Sequence, residues 1–377
     1  MFFGISLILF FAPTQLFAAL LIVFGAGLLI STRSFRKSLV DIPLGAFIAT
    51  RILAVVLSTD ISQSLRSLYT EIPYFILFYA LLRIIADEKP DFIPVILWCL
   101  AIGGIVGSLY GTVGVLTGHL ERAQSISAGY YTLGTYLAAT ISMLLFLGTD
   151  REMFRNRIWW SATIILLCIG LVFTLNRAHW GIVAGMILLA GIHRERKLLI
   201  GAVVAGIAVV AIFPSVAVRL YETIHFASNL SGRDVIWRGA RMIMFDHPLF
   251  GFGPGTFREI FPLLGELEDK QVGGWHNDFL RVYMEGGLIS LAALFWLLVA
   301  AVRTVIRGIR RSGSESADRP RILALSAGLT AIMLSSLLGS GFLDITIIML
   351  TSLLLAMLMH ATGSITGPAG SESQSRV

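Results

Sequence analysis

Ten windows of nearly continuous apolar sequence recur along the chain, near residues 42–58, 69–86, 91–117, 129–148, 158–175, 180–192, 198–217, 278–302, 322–338 and 345–361. Most approach the ~20 residues that a helix needs to cross a bilayer. The run at residues 2–30 adds one span, or two if Pro13, Thr14 and Gln15 close a short hairpin, for eleven or twelve in all. That run lacks a basic leading segment and exceeds the apolar core of a secretory signal, so it reads as membrane structure. Hydrophobic residues make up 56% of the 377 and charged residues 14%, with a mean hydropathy of +0.82. These values belong to polytopic membrane proteins rather than soluble domains. The expected fold is all-α, a polytopic membrane helical bundle with one large outer loop carrying short helices.

The connectors at 31–41, 83–91, 150–157, 193–197 and 303–321, with the tail, hold 18 of the 29 lysines and arginines. They alternate along the chain and fall on one side, which the positive-inside rule makes cytoplasmic. The segment 218–276 then faces outward, into the periplasm of a bacterium, and its six basic residues are balanced by seven acidic ones. Most of the net charge of +6 is this cytoplasmic bias, which anionic lipid headgroups explain without invoking nucleic acid. Cys99 and Cys168 both lie in spans, so neither a disulfide framework nor a thiolate metal site is indicated. Residues 1–362 read as a single integral membrane domain with no internal repeat, and 363–377, rich in Gly and Ser, as a disordered cytoplasmic tail.

The outer loop carries the polar residues with the most to explain. Ser231 is placed to cap a helix running to about Phe245, with Arg233, Trp237, Ala240, Arg241 and Met244 on one face and an Asp234–Arg238 pair on another. Such a helix suits the membrane surface or the roof of a cavity. The stretch GFGPGTF at 251–257 is a tight irregular turn; it has neither the strand nor the lysine of a nucleotide loop, and a structural role outweighs phosphate contact by its amides. In GGWHNDFLRVYMEGG, residues 273–287, Asn277 or Asp278 caps the next span. His276 then lies just outside the positive end of the helix dipole, which favours neutral imidazole. Asp278, Arg281 and Glu285 share a face and should pair with one another, and Gly286 and Gly287 suit close packing.

The run GRDVIWRGARMIMFDHPLFGFGPGTF, followed by HNDFLRVYMEGG, and the outward TLNRAHWG at 174–181 resemble the O-antigen ligase and O-antigen polymerase family of bacterial glycosyltransferases. The resemblance implies a fold similar to the C superfamily of lipid-carrier-dependent glycosyltransferases in the inner membrane. It also implies a glycan donor carried on undecaprenyl diphosphate and an acceptor hydroxyl at the periplasmic face, with the lipid diphosphate as leaving group. It implies no nucleotide sugar, no metal and no other cofactor. Arg177 and Arg233 match the family's arginines, and guanidinium forks suit a departing diphosphate. His276 matches its functional histidine and would take the acceptor proton or hold a phosphate oxygen.

Arg241, Arg122, Arg281, Asp278 and His247 are further candidates for substrate binding. The ordinary fates of such boundary residues, headgroup anchoring and local ion pairing, stand beside that reading. His225, His179 and His119 are outward-facing and read as structural. Arg51, inside a span, should find a buried partner in Asp41 or Glu71, and Asp344 reads as a cap of the last helix more than as an acceptor contact. A ligase would take lipid A-core as acceptor, a polymerase a second lipid-linked glycan, and nothing local in the sequence separates them. A transporter of lipid-linked sugars would place its polar groups at the midplane, where only Arg51 fits. A peptidoglycan polymerase of the shape, elongation, division and sporulation type would need an essential outer acid, for which Asp234 and Asp246 are the candidates.

Overall fold

The computed structural model describes residues 38–72, 75, 78–88, 92–126, 128–148, 157–193, 196–224, 232–270, 272–313, 318–339, 341 and 343–363. The run 2–30, Ser231, His225 and the tail from 364 lie outside them. The α-helices are α1 (Asp41–Val56), α2 (Ile61–Ile72), α3 (Phe78–Glu88), α4 (Phe92–Leu116), α5 (Tyr130–Leu147), α6 (Arg157–Phe173), α7 (Arg177–His193), α8 (Arg196–Ile212), α9 (Pro214–Ile224), α10 (Arg233–Ile243), α11 (Phe257–Ile260), α12 (Asp278–Arg311), α13 (Asp318–Leu338) and α14 (Ile345–Gly363). A 3-10 helix spans Leu264–Lys270, and there is no strand among the described residues. By length and composition α4, α5, α12, α13 and α14 are able to cross a membrane, with α6 and α7 as shorter apolar helices. The protein is an all-α polytopic helical bundle.

Two helices form the axis of the bundle. Every residue of α5 from Thr132 to Leu147 is buried, and so is every residue of α14 from Thr346 to Met359. A helix apolar on all sides belongs inside. The hydroxyls it carries are tolerated because they turn back onto their own helix: Thr140 Oγ1 donates to Tyr136 O at 2.9 Å, Ser142 Oγ to Ala138 O at 2.6 Å and Thr351 Oγ1 to Ile347 O at 2.7 Å. α5 packs most extensively on α13, α1 on α12, and α3 on α14.

Polar contacts sort the helix ends into two sets. At one end, Arg83 of α3 donates to Asp41 of α1 at 3.1 Å, and His360 of α14 pairs with Asp87 of α3 at 2.8 Å. At the other end, Thr59 N donates to Phe252 O at 3.0 Å, Ala123 N to Phe173 O at 2.8 Å, and Gly341 N to Asp278 Oδ2 at 2.8 Å. The second set gathers the α1–α2, α4–α5, α6–α7 and α13–α14 turns with the segment 232–277.

The structure alters the sequence reading in three places. In the window 69–86 the described residues form the end of α2 and most of α3, and α2 begins at Ile61 in what reads as a connector. On α2, Ser64, Leu68 and Glu71 face inward while Ile61, Leu65 and Tyr69 are exposed beside Ser62 and Arg66, so two polar side chains line the protein interior and three large apolar ones face outward.

The span at 278–302 is broken at Gly287, with φ 66° and ψ −170°, a region essentially reserved for glycine. The free groups around the break are satisfied by the loop. Leu288 N and Ile289 N donate to Pro248 O and Leu249 O at 2.9 and 3.3 Å, while Met284 O and Glu285 O accept from Phe252 N and Gly253 N at 2.8 and 3.0 Å. Non-helical backbone at this depth survives because protein covers it. The amides of Phe252 and Gly253 are thereby committed to the fold, in keeping with a structural GFGPGTF turn.

Third, α10 is capped by Gly232 in the left-handed region rather than by a side chain, and ends at Ile243. Its buried face is Val235, Ile236, Gly239 and Ala240, with Trp237 and Arg241 exposed. The expected Asp234–Arg238 pair gives way to one between Arg238 and Glu266.

Candidate functional site

The loop has a core of its own. Val235, Ile236 and Ala240 of α10 close over Phe252, Phe257, Phe261, Leu267, Trp275, Leu280 and Met284. Trp275 is 1% exposed and meets Phe257 and Phe261 edge-on at 4.8 and 5.9 Å. This anchor fixes the residue before His276. On the other side Asn277 caps α12, its Oδ1 accepting from Leu280 N at 2.9 Å. Between these two fixed points His276 takes φ 48°, the left-handed region. Among the described residues, the only other non-glycine with positive φ is Leu175, two residues before Arg177. Such strain costs on the order of 1–3 kcal/mol and persists where the surroundings over-determine it.

His276 is half-buried. Burial, and then the nearby charge of Arg233, hold its imidazole below the ordinary value of 6.5. At neutral pH it is therefore an uncharged base within the field of a cation. Arg233, first residue of α10, donates through Nη2 to Leu338 O at the end of α13, and Asn277 Nδ2 donates to Leu337 O at 2.9 Å. Tyr131 of α5 donates to Ser335 O on the same helix end.

Tyr131 links this group to the α6–α7 turn. Its ring meets the buried His179 edge-on at 4.9 Å, and His179 Nε2 lies 2.9 Å from Thr135 Oγ1. Arg177 stands two residues before His179, where Asn176 Oδ1 caps α7 by accepting from Ala178 N at 3.1 Å. The guanidinium of Arg122 lies over the ring of Tyr130 at 4.7 Å, and the next residue, Ala123, bonds to Phe173 O. The starts of α5, α7, α10 and α12 and the end of α13 thus meet at one end of the bundle. They bring Arg233 close enough for its charge to act on His276, and place Arg177 and Arg122 on the elements packed around Tyr130 and Tyr131.

The other candidates have different placements. Arg281 belongs to a buried ring of four charges: Arg51 binds Glu71 through Nε and Nη2 at 3.0 Å each and Glu285 at 2.7 Å, while Arg281 binds Glu285 at 3.0 Å and approaches Glu71 at 3.6 Å. Of the two partners expected for Arg51, Glu71 is the one used; Asp41 serves Arg83. Asp278 accepts from Gly341 N and so ties α12 to the α13–α14 turn. Arg241 projects from the exposed face of α10, about 12 Å along the axis from Arg233. His247 rests its ring on Phe252 at 4.7 Å, in the segment that fills the α12 break. Asp344 caps α14 through Thr346 N at 3.0 Å, and burial raises its carboxyl above the usual range.

Chemically, a neutral imidazole beside a guanidinium suits proton removal from a hydroxyl next to a site of developing negative charge. Asn277 was expected as a cap and is one, but its bond to α13, Tyr131 and the carbonyls of Ser335, Leu337 and Leu338 were not identifiable from sequence spacing. Their contacts join residues 60 to 204 positions apart. Among the described residues no three His, Cys, Asp or Glu side chains converge as a metal site would require. Residues 162–295 match the model of a family described as O-antigen ligase. The match runs from α6 into α12 and takes in Arg177, Arg233, His276, Asp278 and Arg281. It supports the resemblance drawn from the motifs. A search of curated proteins gives no match.

Proposed function

We propose that this chain, whose residues 162–295 carry the O-antigen ligase family signature, is an inner-membrane glycosyltransferase that moves a glycan from undecaprenyl diphosphate to an acceptor hydroxyl at the periplasmic face. The observation that carries the reading is that Arg233 and the residue next to His276 are both bonded to the end of α13, with the half-buried His276 held in a left-handed conformation at the start of α12. His276 takes the proton of the acceptor hydroxyl as its oxygen attacks the anomeric carbon. The bond from that carbon to the diphosphate oxygen breaks, and the electron pair leaves with the lipid diphosphate. Arg233 and Arg177 neutralise the charge that develops there, with Arg122 at the same end as an additional cation. Direct displacement inverts the anomeric centre.

The acceptor favoured is lipid A-core, which makes the protein an O-antigen ligase. A polymerase differs in using a second lipid-linked glycan. Reconstitution with a purified polyprenyl-diphosphate glycan and each acceptor separately distinguishes the two by product. In the same assay His276→Ala and Arg233→Ala should each lose at least about 100-fold in rate. Retention of activity by both would defeat the proposal, as would a product of retained configuration for direct attack.

A further inference from the structure

The last four carbonyls of any helix lack partners within it and carry its negative end. In α13 these belong to Ser335, Ser336, Leu337 and Leu338. Three of them receive donors from three different helix starts: Tyr131 of α5 on Ser335, Asn277 on Leu337 and Arg233 on Leu338. The turn that follows is held as well, since Gly341 N donates to Asp278. It also lies close on Tyr131: a Cβ on Gly339 would come within 2.3 Å of the tyrosine ring, and one on Gly341 within 3.0 Å. The end of α13 is therefore a common seat for the elements bearing both proposed reacting groups.

Asn277 is the residue that connects this seat to His276. Its side chain works in two directions, Oδ1 accepting from Leu280 N and Nδ2 donating to Leu337 O, both at 2.9 Å. A cap alone needs only the first bond. The second binds the residue next to His276 to the helix end on which Arg233 rests. The geometry points to Asn277 as a positioning residue that holds His276 in its left-handed conformation, in register with Arg233, by anchoring the start of α12 to the carboxyl end of α13. It touches no reacting atom and acts through His276. This rests on the transferase reading given above.

Asn277→Asp separates the two roles. Aspartate caps a helix about as well as asparagine, but it cannot donate to Leu337 O and sets a negative charge against a negative helix end. The variant should unfold within a few degrees of wild type and keep its KM for the polyprenyl-diphosphate donor within about twofold. Its kcat should fall about 10- to 100-fold, the scale of a displacement near 1 Å at a reacting group. Asn277→Ser keeps a cap acceptor without adding charge and does not span to Leu337, so it should show the same loss in kcat. It also gives the reading should Asn277→Asp fail to fold. Wild-type kcat in either folded variant would overturn the proposal and leave Asn277 a cap. His276→Ala in the same assay distinguishes this from failure of the underlying reading. Loss of activity in His276→Ala with full activity in Asn277→Asp removes only the positioning role, whereas full activity in His276→Ala removes both.

Discussion

His276 is defined by what surrounds it. The histidine and its motif are visible in the sequence, and so is its place before a helix start. Its left-handed backbone is not, because that follows from Trp275 being trapped among Phe257 and Phe261 while Asn277 is tied on the other side. Both causes of its lowered pKa, burial first and then Arg233, favour the neutral base. Its protonation midpoint therefore lies below 6.5, and the acid limb of kcat/KM should lie under that ordinary value. The folded form binds fewer protons than the unfolded one in that window, so acidification below 6.5 also disfavours the fold. Arg233→Gln removes the second cause and leaves the first. The pH at which diethyl pyrocarbonate stops modifying His276 should then rise, while staying under the ordinary histidine value. No movement of that midpoint would show that Arg233 does not act on the imidazole.

At the scale of elements, local sequence signals worked where one helix decides its own fate and failed where two segments share backbone. The windows that became α4, α5, α13 and α14 are apolar throughout, and length with composition was enough. The Gly286–Gly287 pair signalled close packing, but not that α12 is interrupted there and mended by residues 248–253, since those hydrogen bonds depend on a segment more than thirty residues away. α2 escaped notice because it mixes polar and apolar residues on both sides, with Glu71 meeting Arg51 and Ser64 meeting the GFGPGTF turn. The Asp234–Arg238 spacing is ideal for a helix pair, and tertiary packing sends Arg238 to Glu266 instead. Gly287→Ala tests the break. A Cβ there would sit 2.1 Å from Leu249 O in a conformation that alanine avoids, so the cost should be at least about 2 kcal/mol and appear as a lower unfolding midpoint in detergent. Gly185→Ala on α7, where a Cβ meets nothing within 4 Å, should be neutral or mildly stabilising. Equal midpoints for the two variants would mean that α12 is not broken as described.

Across the whole molecule, one end of the bundle holds the folded loop, the α12 break, the four-charge ring and the elements bearing Arg122, Arg177, Arg233 and His276. The ring of Arg51, Glu71, Arg281 and Glu285 bridges α1, α2 and α12 beneath the loop. Arg51, the residue best suited to a transport path, is thereby occupied with structural partners five residues from the end of its helix. Breaking one partner out of such a ring is costly, which suits a scaffold that must not shift under the candidate site. Periodicity anticipated the helical bundle, and two of the connectors grouped by charge, at Asp41 and Arg83, meet in the fold. Arg177, Arg233 and His276 came from motif resemblance, whereas the α13 seat and Tyr131 had no signature, since a carbonyl at a helix end looks the same in any sequence. The most direct measurement is a cryo-EM structure of the protein in a lipid nanodisc with a bound polyprenyl-diphosphate glycan. The diphosphate is expected between Arg177 and Arg233, with His276 facing the anomeric carbon. A diphosphate bound away from both arginines, or a His276 turned from the sugar, would contradict the proposed chemistry.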